Sequence, residues 1–267
     1  MSGTVSSMSI ICMAISCLAG FAIPVVLFLY FYKKKGADVL PFFVGCGVML
    51  VFALILEASC HQLILGSPAG KRLSGNVWLY ACYGGLMAGL FEETGRFLAF
   101  KTVLGKYRGK DINALMYGAG HGGFESIVIL GISMVSNIAL ALLMNSGKTG
   151  PIAASLPEEV LLQLKNASDT LIQTPSPLFL VGIAERVLAV TLHIALSVLV
   201  WFAVKDRNRW YLYPAAVLIH FAVDAFTVLL SGLHVPILAI EGVILVLTVL
   251  TCILASKIWA SEKANHA

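Results

Sequence analysis

The residues able to do chemistry stand in four short islands, each inside an apolar run. FEETGR (91–96) carries Glu92, Glu93 and Arg96, and GAGHGGFES (118–126) carries His121 and Glu125. ERVLAVTLH (185–193) carries Glu185, Arg186 and His193, and LIHFAVDAF (218–226) carries His220 and Asp224. Neighbouring carboxylates such as Glu92 and Glu93 titrate as one unit in a low dielectric. Such a pair suits a general base that takes a proton from water and returns it to a leaving amine. Neutral imidazoles can hold that water, stabilise an oxyanion or bind a metal. His121, His193 and His220 with Glu125 or Asp224 also form a candidate set for a divalent metal such as zinc, with an open position for water. Metal-bound and metal-free water both remain open on residue types alone. The same acids and imidazoles equally suit a proton relay or cation site in a transporter.

Such islands need elements that place them, and the composition says which. Of 267 residues 59% are hydrophobic and 12% charged, with a mean hydropathy of +0.90. Soluble domains carry about 25% charged residues, so this is an integral membrane protein. The net charge of +4 brings no basic patch, and no phosphate loop or nucleic-acid signature is present. The six cysteines lie in or beside apolar segments without metal-type spacing and are expected as small apolar side chains.

A helix crossing about 30 Å of hydrocarbon needs about 20 apolar residues. Seven segments qualify: 8–32, 39–61, 77–100, 113–144, 178–204, 212–233 and 236–256. The expected fold is an all-α, polytopic, multi-pass protein forming a single membrane domain over 1–267, with its motifs in a core at 77–233. Basic residues cluster after the first, third, fifth and seventh spans: Lys33 to Lys35, Lys101 to Lys110, Lys205 to Arg209, and Lys257 with Lys263. The positive-inside rule then puts the N-terminus outside and the C-terminus in the cytoplasm. The 145–177 loop becomes external, and LPEEVLLQL within it (156–164) is expected to form a short interfacial helix.

At 1.5 Å of rise per residue, Glu92, Glu93, His121, Glu125, His193, His220 and Asp224 all fall roughly 11–18 Å from the cytoplasmic end of their spans. Four helices thus place ionisable groups in one layer. An unpaired acid at mid-membrane costs about 2.5–3.5 kcal/mol, so these side chains are expected to face a common wet interior. Glu57, Glu185, Arg186 and Glu241 fall outside the layer, and Arg96 is placed near the cytoplasmic face, to pair with Glu92 or snorkel. The glycines of GAGHGG are expected to let neighbouring helices approach closely.

The ordered set Glu92-Glu93-x-x-Arg96, His121-Gly122-Gly123-Phe124-Glu125, Glu185-Arg186 with His193, and His220-x-x-x-Asp224 resembles the YhfC family of intramembrane peptidases. That family sits within the CAAX-protease and bacteriocin-processing superfamily. The resemblance covers residues 77–230 and implies hydrolysis of a peptide bond in a membrane-associated peptide or protein, at the bacterial plasma membrane. It implies Glu92 as the base and Glu93 as its tuning or substrate-binding neighbour. His121, His193 and His220 would position water, stabilise the oxyanion or ligate a metal. Asp224 stands where the prenyl-protein proteases carry Asn, and Glu125 adds a carboxylate that favours a metal site. Arg96, Glu185 and Arg186 would support the site, which would open toward the cytoplasmic half. Within the same superfamily a noncatalytic scaffold subunit is the alternative.

Overall fold

Long apolar runs with few breakers leave the backbone one way to satisfy its polar groups in lipid, the helix. In the computed structural model, which describes residues 3–149 and 155–265, helices account for every long element, and no strand occurs among the described residues. In chain order these are α1 (Ser7–Lys35), α2 (Leu40–Leu65), α3 (Pro68–Ser74), α4 (Val77–Lys101), α5 (Ile112–Asn145), α6 (Glu158–Gln173), α7 (Val181–Lys205), α8 (Leu212–Gly232) and α9 (Ile237–Asn265). Helices α2 and α5 contain π-helical stretches, Met49–Glu57 and Ile127–Ile132, the second beginning two residues after Glu125.

Among the described residues six segments are long and apolar enough to cross a bilayer: α1, α2, α5, α9 to Ala264, and the stretches Ser176–Lys205 and Arg207–Gly232 that contain α7 and α8. Helix α4, the third of the seven expected spans, is not one of the six; Glu92, Glu93 and Arg96 lower its apolarity. Its 25 residues still give roughly 38 Å of helix, enough to span the hydrocarbon. Leu18, Leu63, Leu218 and Leu238 are each at least 65% exposed, as expected of side chains that face lipid. The protein is a polytopic, multi-pass all-α membrane protein.

The helices pack into two compact units whose boundaries fall inside α1, α5 and α7. One comprises 3–23 and 126–187. Its core gathers Val5, Met13, Ala141, Met144 and Leu171. Asn145 ties down the chain start, its Oδ1 accepting from the Val5 amide at 2.8 Å and its Nδ2 donating to the Val5 carbonyl at 2.9 Å. In this unit the expected LPEEVLLQL helix is realised as α6, which is longer than the motif. Pro157 stands at its N-cap, and Glu158 and Glu159 fill the first turn. Ser168 and Leu171 are buried and Val160 is 43% exposed, so the buried face lies further along the helix than the LPEEVLLQL segment. Part of the loop before it, 150–154, lies outside the described residues.

The other unit, Pro24–Glu125 with Leu188–Ala267, holds the larger core. Phe100, Tyr117 and Trp201 are fully buried, with Phe100 edge-on to Trp201 at 5.0 Å and to Tyr117 at 4.6 Å. Asn76 starts α4 by accepting from the Trp78 and Leu79 amides. Asn113, at the start of α5, holds the preceding connections: its Oδ1 accepts from the Asp38 amide, and its Nδ2 donates to Asp38 Oδ2 and to the Tyr107 carbonyl.

Close helix approach in this unit is made by glycines. A Cβ on Gly118 would meet the Ile194 Cα of α7 at 2.6 Å, one on Gly120 the Phe42 carbonyl oxygen of α2 at 2.0 Å, and one on Gly123 the Pro24 Cβ of α1 at 2.6 Å. On α4, Gly85 and Gly89 lie equally close to the Phe221 and Val217 carbonyls of α8. The close-approach role expected for GAGHGG is therefore met, with three different helices. Backbone atoms cannot step aside as a flexible side chain can. Gly120→Ala should lower thermal stability in detergent by an amount corresponding to about 1–3 kcal/mol or more. Gly47→Ala on α2, where nothing lies within 4 Å of the added carbon, should be neutral or stabilising by up to about 1 kcal/mol. Melting curves of the two variants check this directly.

Candidate functional site

Four helices of the larger unit supply the polar residues: α4 gives Glu92, Glu93 and Arg96, α5 gives His121 and Glu125, α7 gives His193, and α8 gives His220 and Asp224. Glu92, Glu93, Arg96, His121, His193 and His220 are all buried. The glycine contacts explain why these side chains can meet. Gly122 abuts Val190 and His193 of α7, and Gly85 and Gly89 bring α4 against the α8 turns that carry His220 and Asp224.

The hub is Glu92 Oε2. It lies 2.8 Å from His121 Nε2, 4.0 Å from His193 Nδ1 and 3.9 Å from His220 Nε2. Around it runs a second set of bonds. His193 Nε2 meets Glu125 Oε2 at 3.0 Å, and the Arg96 Nη2 donates to His193 Nδ1 at 3.1 Å. Since a guanidinium only donates, this bond leaves Nδ1 as acceptor and makes Nε2–H the donor to Glu125. His220 is held between acids, with Nδ1 at 2.8 Å from Glu93 Oε1 and Nε2 at 3.3 Å from Asp224 Oδ2. The imidazole centroids of His121 and His193 are 4.8 Å apart, and those of His193 and His220 are 5.3 Å apart.

All seven residues of the expected layer therefore gather in one place. Arg96 differs from expectation. It is fully buried instead of near the surface, and its carboxylate partner is Glu93, both of whose oxygens accept from Nη1, not Glu92. The reason is local: residue 96 lies one turn beyond Glu92 and Glu93 on the face of α4 that turns inward. A cation there offsets an acid that would otherwise be buried alone. Glu185 and Arg186 bond to each other at 2.6 Å and belong to the smaller unit.

Glu57, expected outside the layer, is buried and bonds His61 Nε2 at 3.2 Å, and His61 Nδ1 meets the Tyr83 hydroxyl at 2.8 Å. His61 and Tyr83 line a cavity of about 440 Å³ together with Leu65, Tyr80, Gly84 and Asp224. Asp224, with 36% of its side chain exposed, joins this cavity to His220. The polar chain Glu57–His61–Tyr83 had a sequence signal, a carboxylate and an imidazole at i, i+4, but its distance from the motifs concealed its relevance. The cavity lies where α2 ends and α4 begins. Toward the Lys101 end the helices close over Phe100, Tyr117 and Trp201. This cavity lies at the end of α4 away from Lys101.

Donor chemistry and charge both fit a divalent cation. Ligand atoms of Glu92, His121 and His193 all lie within 4.8 Å of one another, an N/N/O set of the kind zinc takes. His121 Nδ1 is buried without a hydrogen-bond partner. Glu92 and Glu93 are buried side by side and Arg96 is bonded to Glu93, so a cation at Glu92 would offset a second buried acid. Glu125 and Asp224 stand one step further out, each on an imidazole, where they can orient the ring as outer carboxylates commonly do at metal sites.

The model of a family described as YhfC intramembrane metalloprotease matches residues 19–245. The uncharacterized membrane protein YhfC of Bacillus subtilis (strain 168) is 35% identical over 210 residues, covering 78% of this chain and 80% of that protein. No solved structure matches. With a family match over most of its length and a relative at that identity, the chain belongs to the YhfC intramembrane metalloprotease family.

Proposed function

We propose that the protein is an intramembrane endopeptidase that hydrolyses a peptide bond of a membrane-associated substrate at the Glu92 hub. The single observation that carries the reading is the convergence of three imidazoles on one buried carboxylate oxygen, at 2.8, 4.0 and 3.9 Å. Glu92, His121 and His193 would hold the divalent metal. Such an ion supplies Lewis-acid polarisation of the scissile carbonyl and a lowered pKa for water.

The chain's own residues supply the rest. Glu92 Oε2 is bonded to His121, which leaves Oε1 to accept the proton of the attacking water and return it to the leaving amine. Glu125 fixes the His193 ring by accepting from its Nε2–H. Glu93, neutralised by Arg96, holds His220 by Nδ1, and the His220 Nε2 edge is turned toward Asp224 and the cavity. From there an N–H can meet the oxygen on which charge develops. Arg96 neutralises Glu93, and its bond to His193 Nδ1 uses the lone pair that an ion would take, so a bound ion would displace that bond and leave Arg96 on Glu93. The substrate would reach the hub through the His61–Tyr83–Asp224 cavity, whose mix of apolar and polar walls suits an extended peptide with unpaired backbone groups.

The test is a comparison of membrane-peptide N-termini from cells expressing the protein and its Glu92→Gln variant, followed by cleavage of a responding peptide in detergent. Glu92→Gln should lower turnover by about 100-fold or more while the melting temperature stays within a few degrees. Equal cleavage by the two proteins would end the base assignment. The access route is tested separately by Gly84→Phe. The added carbon at Gly84, which lines the cavity, meets only Val228 Cγ2 at 4.0 Å, an ordinary contact, so a side chain can start from this position. Cleavage of a long substrate should fall by about tenfold or more with folding unchanged, and an unaltered rate would place the entrance elsewhere.

A further inference from the structure

A second cavity, of about 640 Å³, lies at the opposite end of α4 from the access cavity, lined by Phe97, Lys101, Arg108, Arg207, Trp210 and Tyr213. Its charge is one-sided. Among the described residues no carboxylate lies within ion-pair distance of Lys101, Arg108 or Arg207. The neighbouring cations are matched: Lys205 by Asp111 at 2.7 Å, and Arg209 by Glu262 at 3.2 Å and Asp206 at 3.5 Å. The basic groups are also held in place. Arg108 donates to the carbonyls of Gly105 and Val204, and Lys101 rests its ammonium 5.6 Å from the Phe97 ring centre. Phe97 packs on Tyr213 at 4.7 Å, and the Tyr213 hydroxyl meets Thr94 Oγ1 at 2.9 Å.

We propose that this cavity binds the phosphate of an anionic phospholipid headgroup. Three uncompensated cations in a concave wall suit a phosphate diester, which two guanidinium forks and an ammonium can chelate. A free anion has the same headgroup chemistry, but three features favour the lipid. Trp210 is 68% exposed beside the cavity, the position aromatic residues take at a membrane interface. Leu86 and Leu90 are exposed and share a helix face with Phe97 and Lys101, at spacings of four, seven and four residues. An apolar stripe therefore runs up α4 from the cationic wall, as acyl chains below a bound headgroup require. The inference is independent of any hydrolase activity.

The experiment uses the full-length protein in neutral detergent, with native mass spectrometry and thermal melting against phosphatidylglycerol, phosphatidylcholine and inorganic phosphate. Phosphatidylglycerol should be retained at least about tenfold better than phosphatidylcholine and should raise the melting temperature, an effect weakened by salt. The Lys101→Gln/Arg207→Gln double variant should lose about fivefold in affinity per charge removed, or about 25-fold together. Equal retention of the two lipids by the wild-type protein overturns the proposal without reference to any variant. So does undiminished phosphatidylglycerol binding by a folded double variant. A melting shift from inorganic phosphate equal to that from phosphatidylglycerol would overturn the lipid in favour of a soluble anion.

Discussion

Acidic charge taken out of water must be met by something, and this protein gathers four carboxylates in one layer, Glu92 and Glu93 buried and Glu125 and Asp224 part-exposed. The structure meets them with hydrogen bonds first: Glu92 with His121, Glu93 with Arg96 and His220, Glu125 with His193, and Asp224 with His220. Every imidazole of the layer is spoken for by a carboxylate, so each ring is held in orientation before any substrate arrives. Arg96 is bonded to Glu93 and not to Glu92, which leaves the buried Glu92 suited to a divalent ion.

That network sets demands on the fold. The four helices that carry it must approach more closely than ordinary side chains allow, and the glycines at 85, 89, 118, 120, 122 and 123 meet that demand. Glycines on α5 face α1, α2 and α7 in turn, so one short sequence docks three helices and presents His121 to the centre. The aromatic cluster of Phe100, Tyr117 and Trp201 closes one side, and the cavity at His61, Tyr83 and Asp224 leaves the other accessible. A rigid, closed floor and a reachable rim are what a site needs to hold reactive groups fixed while admitting substrate.

Much of this was legible in the sequence because the polar residues are so rare. In an apolar chain a Glu-Glu pair or a His-x-x-x-Asp repeat has few innocent explanations, and the rise per residue of a helix turns position directly into depth. What could not be read was rotation about each helix axis. Arg96 was expected to pair with Glu92 or to snorkel because it sits near a span end, yet its face of α4 turns inward and it pairs with Glu93. Glu57 was placed outside the layer by depth alone, although its bond to His61 puts it beside the cavity wall. The length of α6 exceeded the LPEEVLLQL motif because Ser168 and Leu171, beyond the motif, are the residues that dock it.

The central claim is that these acids and imidazoles surround a point built for a cation. Elemental analysis of the protein purified without chelator tests it most directly, alongside His121→Ala, His193→Ala and the rim variant Asp224→Asn. The account predicts about one tightly held divalent ion per chain, lost in both histidine variants and kept when only the rim carboxylate is neutralised. Folded wild-type protein that neither carries nor takes up such an ion, or histidine variants that retain it in full, would contradict the account.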